Sequence, residues 1–352
     1  MSLQEQKAQL FTMLQKALEL ELSTLPPYLT ALLSIKREAN RVAANLIRGV
    51  MMEEMLHMLL VGNLVSSLGG KVAIGPTTIP SYPLRMEFQG KVFKDREFDV
   101  NLGRFSADAI EIFKQIELPS SFVERAGVLA AQPEIVIPAI TIGAFYQQVI
   151  ALLDVMCAEY GEAAVFCGDP SVQVGEQYYW GGGGKPIIIR DLASAKQALE
   201  LIITQGEGAD DSIFDDDQAY FAQPEEVAHY FRFNEIACGR YYGPDDNPRE
   251  PPTGDCFAVD YSAVFLIQSN SKQTDYAVGS RLATLNENFN LQYSLMLAQI
   301  EQALNGQPSI LYDAITNGMH SLTSTALEMM ALPIDGLEGV NGAPSFEWVE
   351  LP

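Results

Sequence analysis

Two short stretches of this 352-residue chain repeat one chemical pattern: Glu53-Glu54-Met55-Leu56-His57 and Glu225-Glu226-Val227-Ala228-His229. The chain has only 3 His, and two of them stand in this setting. On a helix, residues three apart share a face, so Glu54 with His57, and Glu226 with His229, would each present a carboxylate and an imidazole to one point. These are ligands for divalent transition metals, although a single such pair also occurs facing solvent or as a local ion pair. Glu21 adds weight, because it falls on the apolar stripe formed by Leu10, Leu14, Leu18 and Leu25. Burying an ionised Glu without a partner costs several kcal/mol or forces it to take up a proton. Few basic residues share these stripes, whereas a divalent cation would satisfy all three carboxylates at once.

Four long helical patterns must carry these groups. They cover about 4–35, with a bend or restart at Pro26-Pro27, then 41–68, 138–160 and 224–240. Metal-binding carboxylate bundles take one Glu from each of two helices and a Glu-x-x-His from each of the other two. This order is present in the first, second and fourth helices. The third should supply the remaining Glu, but its inward stripe reads Ile140, Ala144, Gln147 or Gln148, Ala151 and Asp154. Asp154 lies about 15 Å up the helix from Ala144, too far to replace it, while Gln148 could lend a neutral oxygen. Three carboxylates facing two divalent ions would hold the second ion less tightly, so one or two ions are expected.

Residues 71–134 and 161–222 interrupt the bundle, and insertions of that length form lids, binding loops or small subdomains. The run Trp180 to Gly184 lacks the strand, spacing and Lys of a phosphate loop and reads as a flexible turn. A bundle over 1–243, a linker over 244–280 and an accessory helical hairpin with a tail over 281–352 complete the expected organisation. His320, with no acidic residue at helical spacing, reads as structural, and Tyr28, Tyr146 and Tyr230 as packing groups.

Lys and Arg number 22 against 45 Asp and Glu, a net charge of -23. A nucleic acid or an anionic membrane surface would be repelled. The apolar stretch from Ile135 to Leu153 carries Pro138, Gln147 and Gln148 and no basic flank, so it reads as a bundle helix rather than a membrane span. The N-terminus has no signal-peptide pattern, which points to the cytoplasm. The 4 Cys form no CxxC pair and read as reduced, structural thiols.

Six segments, LELELSTLPPYLTALLSI (Leu18 to Ile35), EEMLHMLLVGNLVSSLGG (Glu53 to Gly70), ITIGAFYQQVI (Ile140 to Ile150), ITQGEG (Ile203 to Gly208), EEVAHYFRFNEIACGR (Glu225 to Arg240) and GAPSFEWV (Gly342 to Val349), carry a resemblance over nearly the whole chain. It resembles the ferritin-like domain of iminophenylpyruvate dimer synthases, from violacein and indolocarbazole biosynthesis, and of related uncharacterised bacterial proteins. The resemblance implies a mainly α, ferritin-like four-helix bundle with Glu21, Glu54, His57, Glu226 and His229 as metal ligands, and work on small metabolites. Glu207, in QGEG, stands near the site or caps a helix. One departure falls at Ala144, where the family pattern IGEFY has Glu.

Together these readings lead us to expect a non-haem iron or manganese oxidoreductase or oxidative coupling enzyme. Its substrate would be a small, aromatic amino-acid-derived metabolite, with dioxygen or a peroxide as co-substrate. The alternatives are metal binding or iron storage without turnover, and a metal-poor scaffold of the same fold. The sequence leaves open whether chains associate into a homo-oligomer.

Overall fold

A computed structural model describes residues 1–36, 38–89, 95–123, 135–137, 139–180, 182–209, 212–221 and 226–351, with the backbone alone at 135–137, 219 and 320. The side chain of His320 therefore lies outside the described residues. Helix α1 (Leu3–Ser34) opens with a capping box between Ser2 and Glu5. It runs unbroken through Pro26 and Pro27, where the sequence predicts a bend or restart. Pro27 has no N–H for the Ser23 carbonyl four residues earlier, and the Tyr82 hydroxyl donates to that carbonyl at 2.7 Å instead. Helix α2 (Arg41–Ser67) packs along α1. Its end is closed where Gly69, at φ 81°, donates to Ser66 O and Gly70 to Val65 O.

The first insertion holds strands β1 (Leu84–Phe88) and β2 (Arg96–Val100), paired antiparallel, helix α3 (Ala107–Ile116), and β3 (Ile135–Ile137), which pairs parallel with β1. Helix α4 (Ile142–Tyr160) starts at Thr141, whose hydroxyl accepts from Ala144 N. That start is later than the sequence predicts, and Pro138 lies outside the described residues. The turn α5 (Glu162–Val165), helix α6 (Leu192–Glu207) and the short α7 (Asp217–Phe221) fill the second insertion.

Helix α8 (His229–Cys238) is shorter than the predicted 224–240. Val227 forms a bridge to Phe214, and Ala228 is extended at ψ 161°, so no helical turn precedes His229 among the described residues. Helix α4 packs on α1 and α6, and α8 packs on α2, α3 and α6. Tyr28 of α1, Phe113 of α3 and Phe233 of α8 meet with ring centroids 4.5, 5.2 and 5.3 Å apart, which pins the inserted α3 onto the bundle.

Beyond the bundle, α9 (Arg281–Leu304), α10 (Leu311–Asp313), a π-helix (Ala314–Met319) and α11 (His320–Met330) form the C-terminal helical unit. Helix α9 touches α2, and α11 touches α1. Residues 244–280, expected as a linker, are tied to the bundle through Lys36 N to Ala263 O at 3.0 Å and Phe265 N to Ser34 O at 2.8 Å. One apolar core runs through both parts.

Candidate metal centre

Five side chains from four elements converge inside the bundle. Glu21 comes from α1, Glu54 and His57 from α2, Glu117 from the residue after α3, and His229 from the first turn of α8. Glu21, Glu54 and His57 are each 2% exposed, Glu117 4% and His229 0%. Potential ligand atoms of Glu21, Glu54 and His57 lie within 4.8 Å of one another, as do those of Glu54, Glu117 and His229. Glu54 is common to both triads.

The orientation of each group is more telling than its proximity. Every carboxylate gives one oxygen to a hydroxyl on its outer side: Glu21 Oε1 accepts from Tyr146, Glu54 Oε2 from Thr24 at 2.6 Å, and Glu117 Oε1 from Tyr28 at 2.5 Å. The other oxygens turn inward. Glu21 Oε2 and Glu54 Oε1 each lie 3.6 Å from His57 Nδ1, while Glu54 Oε1 and Glu117 Oε2 lie 3.0 and 3.5 Å from His229 Nδ1. Both imidazoles engage their outer nitrogen elsewhere, His57 Nε2 with Gln205 Oε1 and His229 Nε2 with Glu53 Oε2, each at 2.9 Å. With Nε2 protonated and donating, each Nδ1 presents its lone pair to the centre, the arrangement that orients metal-ligating His.

Two observations show that the donor set suits a cation. His229 Nδ1 is buried yet makes no hydrogen bond of acceptable geometry, although Glu54 Oε1 is near. A void of about 10 Å³ lies among Glu21, Glu54, His57 and Glu117, about the least space that holds one small particle. Three carboxylates and two imidazoles, oxygen and nitrogen only, suit a divalent cation that does not require thiolate ligands.

Without a cation, protons must offset the carboxylates. Burial and then the charge of Glu54 push Glu21 up to about 7. Burial would lower His57, but the carboxylates of Glu21 and Glu54 outweigh it and raise the imidazole to about 10. His229 likewise rises well above its ordinary value: burial opposes this, and Glu117, Glu53 and Glu54 drive it. Burial would raise Glu54 too, but contact with both imidazoles holds it below its usual range, whereas for Glu21 the one imidazole it faces does not outweigh burial and the charge of Glu54.

Outside the cluster, one cationic side chain fixes the support. Arg232 of α8 is 2% exposed and donates to Glu53 Oε1 at 2.9 Å and Asp215 Oδ2 at 3.1 Å. A Cβ at Gly49 would stand 2.9 Å from Arg232 Nη1, so the glycine clears the guanidinium's path. Gln205, whose Oε1 faces His57, donates through Nε2 to Gly183 O and Asp217 Oδ1, each at 3.1 Å. Gly182, Gly183 and Gly184 all have positive φ, and a Cβ at Gly183 would meet Glu53 N at 2.9 Å. Within the run expected as a flexible turn, Gly182 to Gly184 form a close-fitting wall against α2.

Of the residues singled out from sequence, Glu21, Glu54, His57 and His229 are brought together, and Glu226 and Gln148 are not. The Glu226 side chain is 59% exposed and 3.2 Å from Arg232. The i to i+3 rule fails for it because residues 226–228 precede the helix. Gln148 lies on the exposed side of α4. Glu207 borders the void but accepts from Ser120 N and Gly143 N, both at 2.9 Å, and so closes the N-terminus of α4. Tyr230 stacks edge-on to Phe122 at 5.3 Å, whereas the Tyr28 and Tyr146 hydroxyls do more than pack. Glu117 was not foreseen; the signal available was its place on the stripe Ile110, Phe113, Glu117 of an otherwise amphipathic helix.

Fold and cluster together define a mainly helical bundle with buried carboxylate and imidazole groups at its centre. The chain belongs to the ferritin-like family, whose sequence signature matches residues 14–238. It is similar to the crystal structure of a ferritin-like protein from Caulobacter vibrioides, with a TM-score of 0.62 and 20% identity, covering 96% of this chain and 97% of that one. This likeness is one of fold. No match to a curated protein sequence was found.

Proposed function

We propose that Glu21, Glu54, His57, Glu117 and His229 hold one or two divalent metal ions, iron or manganese. On this reading the protein is a metal-dependent oxidoreductase or oxidative coupling enzyme acting on a small, aromatic amino-acid-derived metabolite. The carrying observation is that both Nδ1 atoms and one oxygen of every carboxylate face a common centre, while each outer atom is held by its own partner. A bound redox metal would supply electrons to dioxygen or a peroxide and Lewis-acid polarisation of a substrate oxygen. The chain's part is to hold the ligands in place. Glu53 and Gln205 set the imidazole tautomers, and Thr24, Tyr28 and Tyr146 fix the carboxylates. The substrate class rests on the resemblance of Leu18 to Ile35 and Glu53 to Gly70 to the iminophenylpyruvate dimer synthases.

A second reading, metal binding without turnover, is favoured by the size of the void beside the cluster, about 10 Å³. Elemental analysis of protein purified without added metal, beside the His57→Ala/His229→Ala double variant, tests the common ground. About two ions per chain, lost in the variant, are expected for the dinuclear site and about one for a mononuclear site. No ion after anaerobic loading with ferrous or manganous salt would remove both readings. Dioxygen uptake by the loaded protein with aromatic imine or 2-oxo acid substrates then separates turnover from binding.

A further inference from the structure

Beside α1 and α2, apart from the void at the metal cluster, lies a cavity of about 1090 Å³. It shares no lining residue with the void at the cluster. Ordinary small-molecule pockets measure about 300–1,000 Å³, and protein cores leave few voids larger than a water molecule. A space this large is therefore not a packing residue. Its walls come from α1, α2, α9, α10, the π-helix and α11, with Met51, Met55, Met58, Leu297, Ile300 and Met319 among them. Unbranched thioether side chains of this kind adapt to flexible apolar guests.

The lining changes character along α2. Its stripe starts at Arg41, Asn45 and Arg48 and continues through Met51, Met55 and Met58 to Leu59. Arg41 to Leu59 spans about 27 Å at the helical rise, so the space is elongated with one polar end. At that end Lys36, Arg41 and Arg48, all exposed, face one carboxylate, Glu38, which pairs with Arg41. Among the described residues neither Lys36 nor Arg48 has a carboxylate partner. In a chain of net charge -23, cations gathered at the mouth of an apolar cavity select an anion.

We propose that this cavity binds a single unbranched alkyl chain bearing a terminal carboxylate, a long-chain fatty acid, with the carboxylate at Lys36 and Arg48 and the chain running along α2 toward Met58. The proposal is independent of the metal reading.

Calorimetric titration of the intact protein with octanoate, dodecanoate and hexadecanoate tests it. Affinity is expected to rise about fourfold per methylene until the cavity is filled. No binding, or no dependence on chain length, overturns it. Lys36→Glu/Arg48→Glu, changed at exposed positions, is expected to weaken hexadecanoate by about tenfold or more and leave hexadecanol unchanged; equal weakening of both overturns the placement of the carboxylate. Met55→Trp, which fills the middle of the cavity, is expected to shorten the longest chain accepted. Should that variant not fold, the chain-length series decides alone. If the protein sediments as a dimer and takes up hexadecanoate only as the dimer dissociates, the occupant is a second copy and the proposal falls. Metal content measured on each variant is expected to stay unchanged, so that failure here is distinct from failure of the metal site.

Discussion

The two Glu of the first motif have different tasks. Glu54 faces the centre and is shared by both triads, while Glu53 stands beside it around α2 and links Arg232 to the outer nitrogen of His229. A repeated Glu-Glu pair on a helix cannot serve one site twice, because neighbours lie about 100° apart around the axis. Glu117→Gln is expected to weaken metal binding by more than about 100-fold, Glu53→Gln by about 10–100-fold as a support to a ligand, and Glu226→Gln by less than about twofold. Metal titration in competition with a chelator measures all three. A large loss at Glu226 with none at Glu117 would return the ligand set to the one expected from sequence.

At the scale of elements, the helices that carry the cluster follow from local signals, and the connections between them follow from tertiary demands. Ser2, Thr141 and Asp191 cap α1, α4 and α6 through their side chains, each a polar residue just before its helix. Continuity of α1 through Pro26-Pro27 was not visible in this way. It depends on Tyr82, from a segment far along the chain, meeting the carbonyl that Pro27 leaves without a donor. Tyr82→Phe keeps the ring and removes that bond, leaving a buried carbonyl unsatisfied. It is expected to cost about 1–3 kcal/mol in urea unfolding, with helix content preserved; a change below about 0.5 kcal/mol would mean that the carbonyl finds another donor. The shortened start of α8 is the same kind of event, since the bridge from Val227 to Phe214 takes residues that an isolated peptide would wind into a helix.

Across the whole molecule, the closing segment GAPSFEWV turns out to be a strap along α9. Asn286, Asn290 and Ser294, spaced four apart on one face, bind it in order: Asn286 Oδ1 accepts from Ser345 N at 3.0 Å, Asn290 Oδ1 from Glu347 N at 3.1 Å, and Ser294 Oγ from Val349 N at 2.8 Å. Phe346 is wedged edge-on against Phe289 at 4.8 Å and Tyr293 at 5.2 Å. Asn290→Ala removes the acceptor for Glu347 and a donor to Ser345 at 2.9 Å. The expected result is a loss of about 1–3 kcal/mol, with faster proteolytic release of the C-terminal segment and unchanged metal content. A variant as protease-resistant as the parent would show that Phe346 alone secures the strap.

Helical periodicity and the interruption of apolar stripes by Glu21, Glu54, His57 and His229 were legible in the sequence, because they depend on residues within two turns of one another. The expectation of a metal-binding carboxylate bundle follows from that local record, and the ferritin-like class from the resemblance that the six segments carry. What the tertiary structure alone decided is the fifth ligand candidate and the support around the site. Glu117 enters from an insertion, seated by the Tyr28, Phe113 and Phe233 cluster. Gln205 reaches His57, and Arg232 reaches the Glu53 that holds His229, only once α6 and α8 have packed. Glu226 fell away for the complementary reason: whether its motif was helical depended on a pairing with residue 214, which no local spacing could reveal.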